Sequence, residues 1–349
     1  MNIARSARAP LRVPSVWPIT QSRGVQTRAP RPARPSTRVS PSRQQFKPDG
    51  SEQPPSYKGP TMSPRLMTFL GVSVLGISMY CGFLYASYSR QVTKAQSLDV
   101  PTDVSDRYNT IASSYDAEVD MSEKIMRMGT KRANLIRLAH GDVLEVSCGT
   151  GRNLEFYELG ERRTVDEQGR AALRGCRSLT FVDLSPPMVA VTKQKFEALH
   201  PEYRGVAFRA QDAASVSVEL PRGTDAKGSS VGNRTSGLVS RPYYDTVVQT
   251  MGICSMPDPV AALRHLGSIT EPSQGRILLL EHGRSHYDWL NRILDNLAPT
   301  HADRYGCWWN RDIGAIVRES GLEIVEEKRW HFGTTWRYVL RPRRVDQNI

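Results

Sequence analysis

The nine residues VLEVSCGTG at 143–151 constrain this chain more than any other stretch. Val143, Leu144 and Val146 read as a buried strand that runs into a tight turn, Gly149-Thr150-Gly151. Residues 152–159 follow with helical spacing, and FVDLS at 181–185 is a second apolar strand ending in Asp183. Strand, glycine turn, helix, strand and carboxylate is the order in which an α/β sheet holds a nucleoside. The glycines let the backbone come close to a ligand, the helix N-terminus offers free N–H groups, and a carboxylate accepts hydrogen bonds from ribose hydroxyls.

Two residues choose among nucleoside cofactors. A dinucleotide site wants a third glycine for close helix packing beside a pyrophosphate, and Leu154 stands there. Glu145 lies in the strand just before the turn. A carboxylate there repels a pyrophosphate but suits a ligand with an ammonium group. S-adenosylmethionine carries an ammonium, a sulfonium and no phosphate, so the pattern favours it over a dinucleotide.

The downstream segments alternate as a doubly wound sheet requires. Residues 186–199 read as a helix with proline at its start. Strands are expected at 206–210, 244–249 and 275–281, helices at 258–266 and 311–320, with Asp258 as N-cap and Gly321 at C′. Residues 322–330 and 336–340 form a closing hairpin. The expected fold is therefore α/β and Rossmann-like: a mostly parallel seven-stranded sheet with helices on both faces. Polar stretches at about 160–177 and 220–242 read as loop insertions.

With these motifs in place, residues 107–341 resemble a class I S-adenosylmethionine-dependent methyltransferase. RYNTIASSYDAEVD at 107–120 resembles the ubiquinone/menaquinone C-methyltransferases, in which this segment closes over the cofactor. LLLEHGRS, NRILDNLAP and YGCWWNRD are similar to membrane-anchored methyltransferases, including the mammalian thiol methyltransferases and fungal mitochondrial inner-membrane members. The resemblance covers about two thirds of the chain and says little about the acceptor. It departs from the pattern at Ser147, where such families carry glycine.

Motif and resemblance together place the methionine part of the cofactor at Glu145, Gly149 and Gly151, the ribose at Asp183 and the adenine at Asp212 and Ala213. Ser147, Thr150, Asn153, Leu184 and Met188 complete the expected cofactor-binding set. Tyr115 would cover the pocket, and Thr250 and Met251 would line it below. For Glu145, Asp183 and Asp212 the competing reading is a cap or a surface charge. His282, at a strand's carboxyl end, is the candidate catalytic base; its competing reading is a structural histidine. His301, Cys307, Asn310 and Arg311 would build the acceptor side, and Trp289, Trp308 and Trp309 would either receive a lipid-like or quinone-like acceptor or dock on the bilayer. The five cysteines are scattered without a zinc spacing, so neither a metal nor a disulfide is expected.

The amino-terminal hundred residues speak to location. Residues 1–60 hold eleven Lys/Arg against two Asp/Glu, leaving the rest of the chain at +3 of its +12. Residues 1–48 hold nine arginines, one lysine and no acid, the composition of a mitochondrial presequence and basic linker. A folded part so close to neutral argues against a nucleic-acid partner. Residues 66–88 are 23 without a charge, and as a helix they span roughly 34 Å, enough for a bilayer. Residues 89–103 would link this helix to a domain at 104–341. Arginines up to Arg65 precede the span and acids follow it, which orients the amino-terminal side to the matrix and the domain to the intermembrane space; a matrix-facing domain is the alternative. The partners implied are the inner membrane, an unidentified methyl acceptor and, on a non-enzymatic reading, respiratory-complex assembly components.

Overall fold

The computed structural model describes residues 62–165, 169, 171–221 and 243–343. The chain divides into two units, Met1–Pro64 and Arg65–Ile349, and the fold belongs to the second. The basic segment 1–60 and residues 222–242 of the expected second insertion lie outside the described residues.

A long helix α1 (Pro64–Gln96) comes first. Among the described residues it is the one helix long and apolar enough to cross a membrane, and its apolar stretch is not covered by protein. The helix runs eight residues past the expected span, so the start of the 89–103 linker is helical. Ala95 and Val104 are fully buried, and Asn296 Nδ2 donates to Tyr88 Oη at 2.8 Å. The base of α1 is thus fastened to the domain.

Three short helices follow: α2 (Arg107–Ile111), α3 (Tyr115–Ile125) and α4 (Met128–Ile136). Then come β1 (His140–Val146), β2 (Arg162–Val165), β3 (Ala171–Asp183), α5 (Pro186–Leu199) and β4 (Val206–Ala210). The chain continues through β5 (Thr246–Thr250), α6 (Pro259–Ser268), β6 (Arg276–His282), α7 (Asp288–Tyr305), α8 (Ile313–Ser320), β7 (Glu323–Trp330) and β8 (Thr335–Arg341). Strands lie side by side as β4-β3-β1-β5-β6-β8-β7. The first five are parallel, β8 is antiparallel to β6, and β7 pairs antiparallel with β8. The eighth strand, β2, pairs antiparallel with the start of β3. The described parts of the polar stretch 160–177, expected as a loop, instead pair as this short ribbon. Its backbone groups are satisfied by pairing, which hydrophobic patterning does not report.

Alternation along the buried strands splits the core in two. Leu144, Val146, Val247, Ile277 and Leu279 face one side with Leu263 and Leu266 of α6 and Val317 of α8. Val143, Val248, Leu278, Leu280 and Phe181 face the other with Leu135 of α4 and Phe196 of α5. The expected helix boundaries hold where capping chemistry fixes them: Asp258 accepts from the Ala261 amide at 2.9 Å, and Gly321 ends α8 at φ 77°. The helix expected at 152–159 is absent. A 3-10 turn at Leu154–Phe156 replaces it.

Candidate active site

The carboxyl ends of β1, β3, β4 and β5 open onto a cleft, where ligands of doubly wound sheets bind. Twelve expected residues line it: Tyr115, Ser147, Gly149, Thr150, Asn153, Asp183, Leu184, Met188, Asp212, Ala213, Thr250 and Met251. The cleft also takes in residues that motif reading missed, chiefly Tyr108, Arg132, Arg152, Ser185, Ser255 and Met256.

The turn after β1 is built for an occupant. Gly149 has φ 55°, and a Cβ placed on it would meet no atom within 4 Å, so its bare face opens into the cleft. Gly151 differs. With φ 76°, its added Cβ would lie 2.7 Å from Leu154 Cδ1. Gly151 is required by packing and does not line the cleft, against expectation. Ser147 (φ 52°) and Met251 (φ 58°), each one residue past its strand, also sit in the left-handed region. Such conformations cost non-glycine residues energy, and here both turn the backbone to form the cleft floor.

Asp183 receives the Gly149 amide at 2.8 Å and the Ser185 amide at 2.9 Å. Burial pushes its carboxyl up despite these bonds. Each oxygen retains a lone pair for a further donor, and the adjacent buried Ser185 hydroxyl has no partner among the described residues. Asp212 combines both readings made of it: it lines the cleft and caps a 3-10 turn by accepting from the Ala214 amide at 2.9 Å.

Glu145 is corrected from a ligand-facing group to one behind the wall. It is 2% exposed and accepts from Asn153 Nδ2 at 2.9 Å and Tyr157 Oη at 2.5 Å. Burial raises its carboxyl to about 7. Asn153 also donates to Thr250 Oγ1 at 2.9 Å and accepts from Arg132 Nη1 at 3.0 Å. Arg132 thereby brings a buried cation to the cleft, with its second arm on Glu123 at 2.8 Å. A guanidinium suits the carboxylate of an amino-acid moiety. The open face of Gly149, the Ser185 hydroxyl, Asp183 and Arg132 together fit an adenosyl group carrying an amino acid.

Helix α3 covers this half of the cleft with Tyr115 and is latched by charge. Arg152 reaches Asp116 at 3.0 Å, Asp120 at 2.8 Å and Glu123 at 3.0 Å. Asp116 also accepts from Thr150 Oγ1 at 2.6 Å and pairs with Lys195. On the other side Tyr108 Oη lies 2.8 Å from Ser255 Oγ.

His282 does not line the cleft. Its Nε2 lies 2.7 Å from Cys307 Sγ, and both group with Cys254 behind the β5 turn. Burial alone would raise the Cys254 thiol, but hydrogen bonding to Cys307 and the charge of His282 hold it well below the usual range. His301 bonds the Cys307 carbonyl through Nδ1 at 2.9 Å and stacks on Trp309 at 4.1 Å. Burial lowers His301 to about 4. Trp308 and Trp309 spend their indole N–H groups on the carbonyls of Thr102 and Leu294, whereas Trp289 on α7 is exposed.

A family model described as a methyltransferase domain matches residues 114–327. The mitochondrial methyltransferase OMS1 of Saccharomyces cerevisiae is 40% identical over 240 residues, 68% of this chain. The chain spans about half the length of that relative, 46%. Among solved structures, the N-methyltransferase NodS of Bradyrhizobium japonicum with S-adenosyl-L-homocysteine is similar over 63% of this chain and 87% of its own, at 12% identity and TM-score 0.38. Magnesium protoporphyrin IX methyltransferase of Synechocystis with bound SAM is similar over 65% and 82%, at 15% identity and TM-score 0.33. The chain belongs to the methyltransferase-domain family.

Proposed function

We propose that this chain is an S-adenosylmethionine-dependent methyltransferase, held at the mitochondrial inner membrane by α1 and acting on a small, apolar acceptor. The observation that carries the reading is the cleft itself: an open-faced Gly149 beside Asp183, with Asp212 further along the same edge. Asp183 would take the ribose hydroxyls, Asp212 and the Ala213 amide the adenine, and Arg132 the carboxylate. Bound there, the cofactor supplies a methyl group already activated on a sulfonium. The chain's residues then have to align and to exclude water. Tyr108 and Tyr115 do so from above; Met188, Met251 and Met256 give an apolar wall.

The anchoring proposal rests on α1, whose uncharged stretch matches a bilayer core. The Tyr88–Asn296 bond fastens its base to α7, the helix that exposes Trp289. That juxtaposition favours an acceptor drawn from the membrane. The charge distribution favours a domain in the intermembrane space. Protease added to mitoplasts should then digest the domain; protection would reverse the orientation.

Calorimetric titration of the full chain in detergent with S-adenosylhomocysteine tests the cofactor assignment. One site is expected, with affinity falling about 10- to 100-fold in Asp183→Asn as charged hydrogen bonds to the ribose are lost. No heat and no thermal shift would overturn it. A second reading, a respiratory-complex assembly factor that binds the cofactor without turnover, draws on one observation: among the described residues no histidine lines the cleft. Full respiratory growth of a Gly149→Arg variant that has lost cofactor binding would favour it.

A further inference from the structure

Cys254, His282 and Cys307 are separated by up to 53 positions in sequence, yet their donor atoms all lie within 4.8 Å of one another. We propose that they form a zinc site with three protein ligands and one open coordination position.

Each ligand comes from a different segment, and each segment is fixed to the next. Cys254 lies in the 3-10 turn Ile253–Ser255 after β5, His282 ends β6, and Cys307 follows α7. The amides of Gly252 and Ile253 donate to Glu281, the neighbour of His282, at 3.3 and 3.2 Å. The Trp308 amide, next to Cys307, donates to the Cys254 carbonyl at 3.1 Å. His301 bonds the carbonyl of Cys307. A site preformed in this way does not have to be assembled by the metal.

Donor type and charge select the ion. Two thiolates and an imidazole are soft and borderline ligands, which suit zinc and exclude magnesium and calcium. Two thiolates neutralise a divalent cation, so the cluster is uncharged in a place where both cysteines are buried and an unbalanced charge is costly. Tetrahedral bonds of about 2.3 Å to sulfur and 2.0–2.1 Å to nitrogen put neighbouring donors about 3.6 Å apart. The 2.7 Å between His282 and Cys307 therefore opens by about 0.9 Å on loading, within the reach of side-chain rotation. The cluster adjoins the cleft through Ser255, whose Oγ is 3.6 Å from Cys254 Sγ and 2.8 Å from Tyr108 Oη.

The test uses the reduced full chain in detergent, stripped with a chelator and titrated with cobalt, then zinc. Cobalt should produce a thiolate-to-metal charge-transfer band and tetrahedral visible absorption, both lost on adding one equivalent of zinc. Cys254→Ser and Cys307→Ser should each weaken zinc binding about 100-fold or more, and Cys81→Ser on exposed α1 should leave it unchanged. Circular dichroism shows whether the variants fold. Absence of the band in the folded wild-type protein would overturn the site, as would equal zinc affinity in folded Cys254→Ser. Cofactor titration is read separately, so the zinc site can fail while the methyltransferase reading stands.

Discussion

The two halves of the cleft are built differently. The half proposed for the cofactor comes from strand ends read in order: the turn after β1, then Asp183 at the end of β3, then Asp212 and Ala213 after β4. Its lid is held by largely half-buried ion pairs. The other half draws on Tyr108 and the β5 turn, with the Cys254–His282–Cys307 group behind it, and is held by hydrogen bonds between distant segments. One half is specified locally and the other by tertiary packing. Substitutions in the first should change ligand affinity, and those in the second should change how the wall is assembled.

The sharpest test lies within three residues. A Cβ at Gly149 would meet no protein atom within 4 Å and would point into the space proposed for the cofactor. Gly149→Arg should abolish S-adenosylhomocysteine binding at a stability cost of only about 1–2 kcal/mol, from its left-handed backbone. Gly151→Ala should do the reverse. Its Cβ meets Leu154 and Thr192, so it should lose about 1–3 kcal/mol of stability, with weaker binding only as a consequence. If both variants bound ligand normally, the cleft would not be the cofactor site.

This pair also shows what the sequence could and could not reveal. Strand patterning located β1, the end of β3, β4, β5 and β6 because apolar runs mark buried parallel strands, and it read the polar start of β3 as loop. The same patterning could not say that Gly149 faces the ligand while Gly151 faces Leu154; that depends on backbone rotation through the turn. It misread 152–159, where Asn153 is held by Glu145, Thr250 and Arg132 and the chain turns rather than spiralling. It missed Arg132 because nothing in the sequence near α4 announces a partner 118 residues away at Thr250. The zinc ligands were illegible for the same reason: they share no motif, only a place in the fold.

Glu145 offers the next largest effect. Its carboxyl is held near 7, above the ordinary value of about 4.3. Below both values the folded and unfolded chains are protonated there, and the group's contribution to stability is fully present. As pH rises through 7 the folded carboxyl ionises in dry surroundings and that contribution is lost. Stability should therefore fall by on the order of 1–3 kcal/mol between pH about 4.5 and 7. Glu145→Gln should flatten that slope in thermal melts taken across the range. An unchanged slope would mean that Glu145 stays ionised behind Asn153, as a charge for the ligand's ammonium would require.

The α3 lid should respond more weakly. Arg152 is about one fifth exposed and shared among three acids, and such pairs are worth up to about 1 kcal/mol each. Arg152→Ala should weaken S-adenosylhomocysteine binding about 3- to 10-fold. It should also remove part of the salt dependence of binding in titrations at low and high ionic strength. Salt-independent affinity in the wild-type protein would show that the latch plays no part in closure.

The smallest effect concerns the departure at Ser147, and it links the two halves. Ser147 holds φ 52°, where a side chain costs about 1 kcal/mol. Opposite it stands Gly252, whose added Cβ would lie 2.6 Å from Ser147 Cβ and 3.0 Å from Gln249 Nε2. The side chain that one strand end carries is accommodated by its absence at the other. Ser147→Gly alone should change stability by at most about 1 kcal/mol, because relief of strain is offset by a freer unfolded chain. Gly252→Ala alone should destabilise through the clash. In the double variant most of that clash disappears, leaving only the Gln249 contact, so a double-mutant cycle should return a favourable coupling of about 0.5–2 kcal/mol. Additive effects would mean that the turns after β1 and β5 are set independently, and that serine at 147 is tolerated for a reason other than the glycine facing it.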